Sequence, residues 1–168
     1  MKKLVEFSLW LVAFTFLTFA VFFVTKIRER EIVLVDLSTR ACWLNTEQQV
    51  DLTVKEPLER MIDDAEKEGM CLVVSSGYRT KEEQERIIEK YGDLAEETDK
   101  SEHLTGLAVD IIACPMTNGK RDDSAERLEL RKPFDQLPEY KWLSENAGEY
   151  GFIQTYKEEA WHWRFYER

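Results

Sequence analysis

Eighteen consecutive residues, Phe7 to Val24 (FSLWLVAFTFLTFAVFFV), carry no charge and only three polar side chains, Ser8, Thr15 and Thr18. As a helix such a run spans roughly 27 Å at about 1.5 Å per residue, close to a bilayer hydrocarbon core of about 30 Å. Lys2 and Lys3 precede it, and Lys26, Arg28 and Arg30 follow. A cleaved signal peptide is the rival reading. Its apolar region usually covers only about 7–15 residues and ends at a small-residue site. Thr18-Phe19-Ala20 is a weak version of that site, and the apolar run continues past it. The sequence therefore predicts a single transmembrane helix and membrane anchor within residues 1–30. Positive charge on both flanks leaves its orientation open.

What remains of the 168 residues suffices for one domain. The formal net charge is -10, which repels phosphate backbones, so nucleic acid is not an expected partner. The three cysteines, Cys42, Cys71 and Cys114, form no CxxC pair, which argues against a thiolate zinc knuckle. One disulfide with one thiol left over is open in an oxidising space, and three buried thiols are an equal alternative. There are only two histidines, His103 and His162, so any site that needs imidazole must use them.

Residues 31–55 read as a stalk, with Ile32 to Val35 a candidate edge strand, and 56–168 as the domain proper. Leu58, Met61, Ile62 and Ala65 recur at helical spacing, and Gly69 stands where a C-cap would. Cys71 to Val74 predicts a buried strand, followed by a turn at Ser75 to Tyr78. Thr80 and Glu83 form a capping box for a second helix running to about Tyr91. Residues 92–102 and 113–133 are polar and read as surface loops. Gly106 to Ile112 predicts a strand, Leu137 to Ala147 a third helix, and Gly151–Ile153 and Trp161–Phe165 two more strands. Helices and strands mix without a βαβ rhythm, so the expected class is α+β, a small antiparallel sheet with flanking helices.

On the strand containing Asp110, Ala108, Asp110 and Ile112 share one face. A carboxylate inside LAVDII is costly unless it is paired or bound to a metal. The ordinary alternative is an aspartate satisfied by backbone donors. Along Trp161–Phe165 the three aromatics alternate with His162 and Arg164, which leaves the latter two for a cleft. A lone histidine there is more often a satisfied edge residue. Together, two histidines and an aspartate supply three ligands with one position open, the pattern of catalytic zinc. Glu159 lies near His162 in sequence and could take a proton from an activated water. Arg79 leaves a turn at a helix start and can present its fork to a carboxylate or an oxyanion.

Taken in order, SGYRT with Gln84 five residues after Arg79, then SEHLTGLAVDI, WLSENAGEYGF and EAWHWRF resemble the VanY-type D-alanyl-D-alanine carboxypeptidases, zinc metallopeptidases related to the D-Ala-D-Ala dipeptidases. The likeness covers about residues 56–168. It implies that His103, Asp110 and His162 hold one Zn2+, that Glu159 is the catalytic base, and that Arg79 stabilises the transition state or binds substrate. It also implies that Gln84 and Ser101 line the substrate side. The expected substrates are peptidoglycan stem peptides losing a C-terminal D-alanine, with the domain outside the membrane and Met1 inside. Two departures stand out. Ala160 replaces the usual proline between the glutamate and tryptophan of the last motif, and the stretch from Phe152 to Glu159 is short, leaving substrate choice open. A non-catalytic wall-binding module on the same scaffold and an endopeptidase cutting within the stem remain alternatives.

Overall fold

Asp51 starts the first helix by accepting a hydrogen bond from the Thr53 amide at 3.0 Å. The helix, α1 (Leu52–Lys67), buries Val54, Leu58, Met61, Ile62 and Ala65 along one stripe. That spacing of three and four is what an amphipathic helix needs to cover a core. A computed structural model of the chain describes residues 31–42, 46–92, 97–114, 116–117, 120–121 and 133–166. The proposed span Phe7–Val24 lies outside them. Among the described residues no helix is long and apolar enough to cross a membrane.

The stretch read as a stalk requires correction. It belongs to the compact unit Ile32–Arg168. Strands β1 (Leu34–Asp36) and β2 (Gln49–Asp51) pair antiparallel, and Leu37, Ala41, Cys42 and Val50 join the core. Their apolar side chains are too scattered to show a period. α1 also begins at Leu52, four residues before residue 56, where the domain proper was expected to start. Pro57 favours an assignment near itself, since proline prefers the first helical position, yet here it sits inside the helix.

A four-stranded antiparallel sheet carries the rest, in the order β3 (Leu72–Ser76), β4 (Ala108–Ala113), β8 (His162–Phe165), β7 (Phe152–Ile153). The short pair β5 (Met116–Thr117) and β6 (Lys120–Arg121) lies within the stretch expected to be a polar loop. Leu72, Val74, Val109, Ile111, Ala113, Trp163 and Phe165 turn one face of the sheet to the main core, against α1 residues and α3 (Pro138–Asn146), which contributes Trp142 and Leu143. The opposite face near β3 and β4 holds Cys71, Val73 and Cys114 with Ile112. Cys71 and Cys114 are joined as a disulfide, and Cys42 is a buried free thiol. The capping box of Thr80 and Glu83 opens α2 (Lys81–Tyr91) as expected.

Candidate metal centre

Strand register builds the site. In β4 and β8, Asp110 stands opposite His162, and in β3 and β4, Ser76 stands opposite Asp110. A register shift between Val74 and Ser76 is what brings Ser76 level with Asp110, the kind of irregularity that re-aims a side chain beside a site. His103 arrives from outside the sheet on a 3-10 turn, Glu102–Thr105, which ends at Gly106 in the left-handed region (φ 68°). A Cβ at Gly106 would lie 2.9 Å from the Asp51 amide nitrogen, so glycine is required there.

His103, Asp110 and His162 are all buried. One ligand atom from each lies within 4.8 Å of the other two. His103 Nδ1 donates to the Gly77 carbonyl at 2.7 Å, which leaves Nε2 as a bare lone pair, 3.2 Å from Asp110 Oδ1. The Nε2 of His162 lies 3.0 Å from Glu102 Oε2. With its proton there, Nδ1 is the second lone pair, also 3.2 Å from Asp110 Oδ1. With the ring protons on His103 Nδ1 and His162 Nε2, three acceptor atoms converge, an arrangement that a cation relieves. The donor set, two imidazoles and a carboxylate, fits a divalent metal of the zinc type.

The electrostatics agree. Burial opposes the charge on Asp110, but His103, His162 and Arg79 outweigh it and hold its carboxyl well below the usual carboxylate range. Burial also opposes a charge on His162, yet Asp110, Glu102 and Glu159 together raise its pKa. Without a metal, His162 is thus drawn toward taking a second proton in the place a cation would fill. Burial likewise raises the Glu102 carboxyl, but its bonds to His162, Thr155 and Arg164 leave it lowered.

The other expected site residues gather around this cluster. A cavity of about 660 Å³ is lined by Arg79, Gln84, Ser101, Glu159 and the three candidate ligands, together with Ile87, Tyr91 and Trp161 among others. Arg79 donates from Nη2 to Asp110 Oδ2 at 2.5 Å, from Nε to Ser76 Oγ at 2.8 Å, and from Nη1 to Gln84 Oε1 at 3.3 Å. Its fork is therefore fixed by the outer oxygen of the candidate ligand while it lines the cavity. Glu159 Oε2 lies 4.0 Å from His162 Nδ1, and its side chain is 37% exposed. It is close enough to serve a reacting water without being one of the three converging ligands. Trp161 departs from the expected alternation. It precedes β8, is exposed, and lines the cavity instead of the core.

Residues 47–168 match the family model VanY, described as D-alanyl-D-alanine carboxypeptidase. The chain belongs to the VanY family. Sequence relatives of this VanY-family chain include YodJ of Bacillus subtilis (strain 168), 33% identical over 129 residues, which cover 66% of this chain and 44% of YodJ. Another is a D-alanyl-D-alanine carboxypeptidase of Enterococcus faecium, 31% identical over 124 residues, covering 67% of this chain and 36% of the relative. The chain thus spans less than half the length of either. Among solved structures, it resembles a glutamate-to-alanine mutant of the vancomycin resistance D,D-pentapeptidase VanY from a VanB-type resistance cassette, in complex with Zn(II). That match has a TM-score of 0.56 and 25% identity, and covers 82% of this chain and 80% of the other.

One polar residue of this VanY-family centre escaped the sequence reading. Glu102 ends the polar stretch 92–102 that the sequence predicts as a surface loop, yet its side chain is only 14% exposed. Besides His162, it accepts from Thr155 Oγ1 at 2.9 Å and from Arg164 Nη1 at 2.8 Å. Its position directly before His103 was the one available signal.

Proposed function

We propose that this domain is a zinc-dependent carboxypeptidase that removes a C-terminal D-alanine from peptidoglycan stem peptides. The observation that carries the reading is the convergence of His103 Nε2, His162 Nδ1 and Asp110 Oδ1 at one wall of an open cavity. A Zn2+ held by these three would polarise the scissile carbonyl and acidify the attacking water. Glu159 accepts that water's proton and delivers it to the leaving amine, as a partly exposed carboxylate at the cavity wall can. Arg79, braced by Ser76 and Gln84, offers guanidinium N–H groups to the substrate's carboxylate or to the oxyanion. Ser101 and Gln84, both buried at the cavity wall, fix the shape of the substrate side. The family membership and the zinc-bound VanY relative support the reading.

The proposal includes an extracytoplasmic location, with Phe7–Val24 as the membrane anchor. The Cys71–Cys114 disulfide supports an oxidising compartment.

Mass spectrometry of defined tetra- and pentapeptide stems tests the function. The zinc-loaded protein should release one terminal D-alanine, and a chelator should stop it. Cleavage inside the stem would replace this reading with the endopeptidase, and tight stem binding without turnover would replace it with a binding module.

A further inference from the structure

We propose that Glu102 is a positioning residue of the metal centre: it fixes His162 as an Nδ1 ligand by taking the hydrogen on Nε2. This rests on the assignment of His103, Asp110 and His162 as the metal site.

A neutral imidazole carries one proton and offers one lone pair, and the partner of the protonated nitrogen decides which nitrogen is which. His103 has a backbone carbonyl for this, Gly77 O, held by the chain itself. His162 has no carbonyl in that role. Its Nε2 faces a side chain, Glu102 Oε2, at 3.0 Å. A side chain can serve as a fixed acceptor only if it is itself immobilised. Glu102 is immobilised at both oxygens: Oε2 also accepts from Thr155 Oγ1 and Oε1 accepts from Arg164 Nη1. Thr155 lies on the segment leading from β7 towards β8, and Arg164 follows His162 by two residues on the same face of β8. The backbone at Glu102 is held too, since its carbonyl accepts from Thr105 Oγ1 at 2.6 Å. The turn Glu102–Thr105 therefore supplies one ligand, His103, and the clamp on the other.

The chemistry calls for an ionised carboxylate here. Each Glu102 oxygen accepts from a different donor, His162 on one side and Arg164 on the other. An amide has one accepting oxygen and cannot serve both. Its NH2 group would face either a ring N–H or a guanidinium. Glutamine should therefore be a partial substitute and alanine none.

The experiment uses the full chain, with zinc affinity measured by competition with a chromophoric chelator and the His162 tautomer read by long-range ¹H–¹⁵N NMR. Loss of such an outer partner typically weakens metal binding by about 10–100-fold. Glu102→Ala should fall in that range, with a smaller loss for Glu102→Gln. Read at alkaline pH, where the metal-free imidazole is neutral, His162 in Glu102→Ala should lose its uniform Nε2–H form, a change that general loosening of the fold would not produce selectively in one of the two histidines. If Glu102→Ala does not fold, Glu102→Gln carries the same two readouts. Parent-like affinity together with an unchanged tautomer in the folded variant overturns the inference while leaving the metal site standing. Failure of the parent chain to bind zinc overturns the metal site itself.

Discussion

Replacing Glu159 by glutamine separates metal binding from proton transfer. The substitution keeps the shape of the side chain and removes its charge. Glu159 Oε2 lies 4.0 Å from His162 Nδ1 with the side chain 37% exposed, so its influence on a cation is screened in a water-like way, about 1 kcal/mol per unit charge at that separation. That corresponds to a loss of zinc affinity of about fivefold per unit charge. Removing a general base costs typically about 10²–10⁴ in rate, or roughly 3–5.5 kcal/mol in the barrier. Doubled for a divalent ion, the binding effect reaches roughly thirtyfold, still below the chemical effect. Single-turnover release of D-alanine from a pentapeptide stem, with each variant loaded at saturating zinc, isolates the chemical step. Glu159→Gln should retain the metal and lose nearly all turnover. A variant that cleaves as fast as the parent refutes the assignment of the base.

Other outcomes follow from the same geometry. Removing the Cys71–Cys114 disulfide, which closes a separation of 43 residues, should cost about 4 kcal/mol by the loop-entropy estimate, read as a drop in denaturant midpoint for the Cys71→Ser, Cys114→Ser double variant against parent. An unchanged midpoint would show that the cross-link adds nothing. Gly77→Ala places a Cβ 2.3 Å from the Gln49 carbonyl oxygen and should cost about 1–3 kcal/mol while displacing the carbonyl that holds His103. Thermal unfolding and zinc titration should both report it, and parent-like values in both would contradict the packing described. Zinc should be released on acidification. His162 has its pKa raised in the metal-free protein, its protonated form does not ligate, and so affinity falls as pH drops through that raised value, while Asp110 stays ionised. Chelator competition between about pH 8 and 5 checks this, and a flat profile would count against His162 as a ligand.

The ligands were legible because their residue types are scarce. Two histidines and a carboxylate within an apolar strand leave few alternatives, and the resemblance of the ordered motifs supplied their roles. The helices α1 and α2 were legible for local reasons, an apolar stripe and a capping box. What the sequence hid is non-local. Nothing in the run from Gly92 to Glu102 announces that its last carboxylate turns inward, because its partners Thr155, His162 and Arg164 lie 53 to 62 residues away. The disulfide pairing was one of several options until β3 and β4 aligned, when Leu72 opposite Ala113 brought the flanking Cys71 and Cys114 together. Residues 31–55 looked like a stalk because β1 and β2 are three residues each, too short for a period to show.

The metal centre is specified largely by residues that never touch it. Asp110 and His162 meet because Val109 pairs with Trp163 one step along the ladder, and those two belong to the core on the other face. A slip of β8 by one residue would turn His162 and Arg164 into that core and bring Trp163 and Phe165 out of it. Each large apolar side chain is worth roughly 1.5–3 kcal/mol when fully buried, and an arginine forced into an apolar layer without its partner adds a further penalty. Several kcal/mol thus oppose the slip before any cation is present. The aromatic alternation of Trp163 and Phe165 fixes the register, and the register brings the ligand atoms of Asp110 and His162 within reach of one ion. A metal that binds here meets a site already assembled by the core, so removing the ion should leave β4 and β8 paired as they are.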